Sequence, residues 1–226
     1  MATIVCFGDS VTQGTPHVDP ADTFTALLQR RLNRRANTRA SVVCHNSGVG
    51  GENTAEGLAR IGPAVLDHSP DVVVVEFGLN DIRYEPDKAI APAQFAANLQ
   101  QIHSQIAAAG ATVVFTTPNP IVNAWHVYSR GTDYYDRWGG CNGAVVEYAE
   151  IIRDVAAGLE CYLCDIYAAF VAEAIAIEFA GATENHLGLT CLSAFIRSDD
   201  GVHPTAVGHE LIARELYALI VREKLV

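Results

Sequence analysis

Apolar and polar positions along the chain follow two alternating rhythms. Short, nearly continuous apolar runs stand at Thr3-Ile4-Val5-Cys6-Phe7, Ser41-Val42-Val43-Cys44, Asp71-Val72-Val73-Val74-Val75-Glu76-Phe77, Thr112-Val113-Val114-Phe115-Thr116 and Cys161 to Ile166. Their length and apolar character predict buried strands. The run from Asp71 to Phe77 is the clearest, and its near-continuous apolar character predicts a central parallel strand covered on both faces. Between the runs, apolar residues recur at three- and four-residue spacing. This predicts helices from about Asp22 to Arg35, from Asn53 or Thr54 onward with Leu58, Ile61 and Val65 facing inward, and from about Ala91 to Ala109. Three more are predicted from about Gly143 to Ala157, Ala168 to Phe179 and Pro204 to Glu223. Strands alternating with helices predict a doubly wound α/β/α sandwich, three layers built on a five-stranded parallel sheet. No internal repeat, low-complexity segment or Pro/Ser/Gly-rich linker divides the 226 residues, so residues 1–226 read as a single domain.

Composition narrows the function classes. With 50% hydrophobic and 18% charged residues the chain can bury a sizeable core. A net charge of -11 argues against non-specific nucleic-acid binding and against docking on anionic membranes. The most apolar long stretch, residues 161–182, carries Asp165, Glu173 and Glu178, so no transmembrane span and no stable membrane insertion are expected. The first strand begins almost at Met1, which reads as a cytoplasmic protein or a mature chain whose leader has been removed. Cys6 and Cys44 read as small core residues. Cys161 and Cys164 fall on opposite faces of a strand, which favours packing over a metal or redox pair. Cys141 and Cys191 lie in loop-like regions and would pair only in an oxidising environment.

Candidate chemistry gathers where strands end. Gly8-Asp9-Ser10 follows the first strand at once, and a residue just past a parallel strand's C-terminal end sits where such sheets place ligands. Ser10 is therefore a candidate nucleophile, although Gly-Asp-Ser is also ordinary turn and cap chemistry. The second strand runs into His45-Asn46-Ser47-Gly48-Val49-Gly50-Gly51-Glu52-Asn53-Thr54, whose glycines can present backbone N–H groups to an anion. A phosphate loop fits poorly, since its lysine is missing. The third strand ends in Gly78-Leu79-Asn80-Asp81, placing the Asn80 amide at the sheet edge that carries Ser10. Near the end, Ser198-Asp199-Asp200-Gly201-Val202-His203-Pro204 sets a carboxylate three residues before a histidine. That spacing lets Asp200 take the imidazole Nδ1–H and leaves Nε2 free as a base. Asp199 competes for this place; spacing favours Asp200.

These four stretches, in this order, resemble the blocks of the SGNH or GDSL hydrolases, from residue 4 to about residue 215. Val11 stands where that family most often has leucine. The resemblance implies a flavodoxin-like sheet and metal-independent hydrolysis of carboxylic esters or thioesters. It implies Ser10 as nucleophile and Asp200 and His203 as the rest of a triad. The oxyanion donors would be Ser10, Gly51 and Asn80, with Gly48 and Gly50 leaving the glycine register open. A small-molecule ester of a small or medium acyl group is the expected substrate. Thioesterase and carbohydrate O-deacetylase action are alternatives within the class, as is lysophospholipase action, for which no lipid-docking stretch is evident. A catalytically silent binding module and a nucleotide- or flavin-binding domain are alternatives outside it.

The stretch from Pro118 to Cys141 lacks periodicity, and a loop of that length is usually functional or disordered. It holds Trp125 and Trp138 with Tyr128, Tyr134 and Tyr135. Trp125, Tyr128, Tyr134 and Trp138 are expected to line a substrate pocket, or else to pack on the scaffold or in a dimer interface. His126, Arg130 and Arg137 read as a solvated face. His17, His45, His68, His103, His186 and His209 read as non-catalytic. No histidine pair has the i, i+4 spacing of a metalloprotease helix, so no metal and no cofactor is expected. Oligomeric state has no signature in the sequence.

Overall fold

The computed structural model describes residues 1–34, 41–126, 132–181 and 192–226, with 177–181 as backbone only. Tyr128, Arg130, His186 and Cys191 lie outside the described residues. The elements follow one another as β1 (Ala2–Gly8), α1 (Ser10–Gln13), α2 (Phe24–Arg34), β2 (Val42–Gly48), α3 (Thr54–Ala59), α4 (Ile61–Ala64) and β3 (Val72–Glu76). Then come α5 (Pro92–Ala108), β4 (Thr112–Thr116), α6 (Cys141–Gly158), β5 (Tyr162–Cys164), α7 (Ile166–Gly181) and α8 (Ala206–Glu223). All strand pairs are parallel, in the order β2-β1-β3-β4-β5. This is the flavodoxin-like order, with its switch point between β1 and β3.

Burial explains the strand pattern. β3 lies near the middle of the sheet and every one of its residues is buried, including Val72, Val73, Val74 and Val75. Helices α2, α7 and α8 pack together as one outer layer, and α3, α5 and α6 form the other. Phe24, Leu28 and Leu32 give α2 its buried face, at a spacing of four residues.

Three elements differ from the sequence expectation. β2 runs on to Gly48, past the apolar run, because it pairs with β1 as far as Gly8↔Gly48. It is an edge strand, so polar His45, Asn46 and Ser47 are tolerated on it. The helix expected after Asn53 breaks at Arg60. Pro63 has no N–H to offer the carbonyl one turn back, and α4 begins instead at Ile61. Pro204 precedes α8 and is not its first residue. Thr205 caps that helix, and Pro204 forms an antiparallel bridge with Ile196.

The register brings the C-terminal ends of β1, β2 and β3 to one edge, with Gly8 opposite both Gly48 and Glu76. Arg60 fixes this edge by donating to Gly8 O (3.1 Å) and Ser47 O (3.0 Å), while its Nε donates to Glu52 (2.5 Å).

Candidate active site

Ser10 is the first residue of α1, directly after β1. Asp9 caps that helix: its Oδ1 accepts from Val11 N–H (2.8 Å), turning the chain so that Ser10 faces out of the sheet edge. Across the crevice, the segment from Ile196 to Pro204 is closed on itself. Arg197 N–H donates to His203 O (2.9 Å), Gly201 N–H to Arg197 O (2.8 Å) and Thr205 N–H to Phe195 O (2.8 Å). Gly201 sits at φ +73°, where a Cβ would lie 2.7 Å from His126 N. The turn thus needs glycine both for its backbone and for the loop above it.

This closure sets His203 between Ser10 and Asp200. His203 Nε2 lies 2.9 Å from Ser10 Oγ, and Nδ1 lies 3.0 Å from Asp200 Oδ2. Asp200 Oδ1 accepts from the backbone N–H groups of Val202 (2.8 Å) and His203 (2.9 Å). Burial works to raise the Asp200 carboxyl. The His203 contact and the two backbone donors outweigh it and hold the group well below the usual carboxylate range. Asp199 points away and pairs with Arg197.

The anion-binding candidates stand on the same edge. Asn80 Nδ2 donates to Asp9 Oδ2 (3.0 Å). An amide has two N–H bonds, so one anchors the group and the other remains for a ligand. In the glycine turn, Gly48 N–H donates to Asn46 Oδ1 (3.0 Å) and Gly50 N–H to Gln13 Oε1 (3.0 Å). Gly51, at φ +81°, is the glycine of this turn whose N–H no described residue accepts, and it lines the cavity beside Ser10. The Asn80 loop is held from below by Asp81, which accepts from Thr54 N–H (3.0 Å) and Thr54 Oγ1 (2.5 Å). Burial pushes the Asp81 carboxyl up to about 6.

A cavity of about 350 Å³ opens at these groups. Leu79, Ile82, Ile121, Tyr135 and Cys141 give it an apolar wall, and Gln13, His17 and His126 a polar one. Of the aromatic residues expected to line a pocket, Trp125, Tyr134 and Trp138 fall elsewhere. Trp138 Nε1 donates to Glu147 (2.6 Å), and the Arg137 guanidinium lies 3.6 Å from the Trp138 ring centre. Tyr134 packs on the Trp138 ring, and Trp125 packs beside Gly201. Tyr135, next to Tyr134 in sequence, is the one that reaches the cavity. His126 is buried rather than solvated, and His17 lies at the triad's edge. His17, Asp200 and His203 are near enough together to raise the question of a cation. The two imidazole planes, however, are 12° from parallel at 3.6 Å, so their in-plane lone pairs run side by side and do not meet at one ion.

Two buried acids lie beneath Ser10. Asp9 is fully buried, and Glu76 at the end of β3 accepts from Thr12 Oγ1 (2.9 Å). Burial first, and then the neighbouring Glu76 carboxyl, push Asp9 well above the usual carboxylate range; burial raises Glu76 too. A carboxyl raised by folding contributes stability at low pH that is lost as pH rises through its folded value. Glu76→Gln keeps an acceptor for Thr12 and removes one of the two charges. The loss of Tm as pH rises above the ordinary carboxylate range should therefore be shallower in Glu76→Gln than in the unaltered protein. A fall as steep as that of the unaltered protein would contradict this reading of the pair.

The remaining thiols behave as core. Among the described residues Cys6, Cys44, Cys141, Cys161 and Cys164 are free, and burial pushes the Cys6, Cys141 and Cys164 thiols up to about 12. Pairing of Cys141 with Cys191 falls outside the described residues. No helix among the described residues is long and apolar enough to cross a membrane.

Comparison with known proteins meets this geometry. The model of the GDSL-like lipase/acylhydrolase family matches residues 6–211. Esterase TesA of Pseudomonas aeruginosa is 32% identical over 112 residues, which are 50% of this chain and 52% of that protein, so the match spans about half of that relative's length. The structure of a lipase/acylhydrolase from Enterococcus faecalis superposes with a TM-score of 0.74 at 26% identity, covering 99% of this chain and 97% of the other. An acetyl xylan esterase, AlAXEase, shares the fold at 22% identity, with a TM-score of 0.70 over 96% of this chain and 98% of its own. The chain belongs to the GDSL-like lipase/acylhydrolase family, a family of carboxylic ester hydrolases.

Proposed function

We propose that this chain hydrolyses carboxylic esters of small or medium acyl groups through an acyl-enzyme on Ser10. The observation that carries the reading is His203, in hydrogen-bond reach of both Ser10 Oγ and Asp200 at the mouth of the cavity. His203 Nε2 takes the Ser10 proton as Oγ attacks the acyl carbonyl. Asp200, ionised at neutral pH, accepts from Nδ1–H and stabilises the imidazolium. The oxyanion is met by the N–H of Ser10, which heads α1 and has no intrahelical acceptor, by Gly51 N–H and by the second N–H of Asn80. The imidazolium gives its proton to the leaving alcohol. Water, deprotonated by His203, then attacks the acyl carbon and frees the acid from Ser10.

Cavity size supports the acyl range. About 350 Å³ is near the lower end of ligand sites, and the wall beyond Ser10 is apolar. A panel of nitrophenyl esters from acetyl to long acyl, with an acyl-CoA and a sugar acetate alongside, tests this. The account expects kcat/KM to be highest for short or medium acyl groups. A steady rise toward the longest chains would contradict it, and a clear preference for the thioester or the sugar acetate would move the chain to those substrates. Inactivity on every member would favour a binding module.

Asn80→Ala should lower kcat about a hundred- to a thousandfold, the usual effect of losing one oxyanion donor. Little change in KM is expected, because the second N–H is needed most when the oxyanion has formed. A loss confined to KM would remove Asn80 from that role.

A further inference from the structure

His17 takes no part in the steps above, yet its ring lies flat on that of His203, with centroids 3.6 Å apart and planes 12° from parallel. Its main chain is held by bonds that do not involve the His203 ring. Its N–H donates to Gly14 O (2.9 Å), and its carbonyl accepts from Arg197 Nη1 (2.8 Å). Arg197 also reaches Asp199 (3.0 Å) and lies 3.5 Å from Asp200 Oδ2, so it ties the loop after α1 to the turn that carries the triad carboxylate. His17 Nδ1 itself stands 3.9 Å from Asp200 Oδ2.

His203 has two in-plane partners, Ser10 and Asp200. Two contacts at opposite ends of a ring leave it free to tip about the line joining them. A flat neighbour on one face opposes that tilt and keeps water off that side of the Nδ1–H···Oδ2 bond. We propose that His17 is a positioning residue for the base, its ring holding the His203 imidazole in the plane that joins Asp200 to Ser10. The proposal rests on the reading of Ser10 and His203 given above.

The stack must tolerate a charge, because His203 is a cation in each half of the reaction. Burial first, then the nearness of His203, push the His17 imidazole below its ordinary value, against the opposite pull of Asp200. An uncharged aromatic face beside a cation is favourable, whereas a second imidazolium would be repelled.

Three variants test the proposal on nitrophenyl acetate: His17→Ala, which removes the face; His17→Phe, which keeps a flat face that cannot titrate; and His17→Gln, which keeps polar reach without a face. His17→Ala should lower kcat about ten- to a hundredfold, as loss of alignment does, with KM within about twofold. The downfield proton resonance of the His203 Nδ1–H should broaden as that proton exchanges faster with water. His17→Phe should recover most of kcat and the resonance, and His17→Gln should not. If His17→Ala does not fold, the contrast between His17→Phe and His17→Gln still decides. Wild-type kcat in His17→Ala would overturn the proposal. So would a loss confined to KM, or a His17→Phe as slow as His17→Gln. Failure of the underlying reading shows differently: Ser10 of the unaltered protein would then not react with a fluorophosphonate.

Discussion

Replacing Ser10 by alanine is expected to lower kcat on a nitrophenyl ester by about 10⁵-fold or more, the scale on which a serine nucleophile acts. Its hydroxyl meets His203 Nε2. The cap that shapes the turn comes from Asp9, and the backbone N–H of residue 10 survives the change. The fold should therefore keep its Tm within about 2 °C, since no buried contact of the core is lost. What activity remains would come from the oxyanion donors acting with water as nucleophile. Activity equal to that of the unaltered protein would remove Ser10 from the reaction.

The second large effect separates two adjacent acids. Asp200→Asn should lower kcat by about 10³- to 10⁴-fold, and Asp199→Asn by no more than about twofold. The reason lies in what the amide must do. The backbone N–H groups of Val202 and His203 both point at Oδ1, so the asparagine oxygen stays there. Its NH₂ then takes the place of Oδ2 and faces His203 Nδ1. A donor at that position forces the imidazole proton onto Nε2, toward Ser10, and the base is occupied before the reaction begins. Asp199 is exposed, and among the described residues its side chain pairs with Arg197 alone. The effect of Asp200→Asn should persist across neutral pH, because Asp200 is held below the usual carboxylate range and is fully ionised there. A greater loss in Asp199→Asn would reverse the assignment.

Most of this architecture was legible in the sequence because its signals are local. Five apolar runs marked five strands, and the residues just after them marked the edge where Ser10, the glycine turn and Asn80 gather. Asp200 and His203 are three residues apart, so their contact is a property of one turn. Other features are tertiary. His17 meets His203 only because Arg197 ties two distant loops, and nothing in the residues around His17 marks it. Tyr134 and Tyr135 are neighbours of one kind, and packing against Trp138 on one side and the cavity on the other decides which of them lines the pocket. Glu76 stood as a lone acid at the end of an apolar strand; its burial against Asp9 follows from the register of β1 with β3. The break at Arg60 had a local sign in Pro63, but the apolar spacing of Leu58, Ile61 and Val65 fits one continuous helix.

The most direct measurement is the mass of the protein quenched during turnover of a nitrophenyl ester. The account predicts a species heavier by one acyl group, with the added mass on the peptide that contains Ser10, and no such species in Ser10→Ala. Turnover that proceeds with no acylated protein at any quench time, or with the acyl group on another residue, would contradict it.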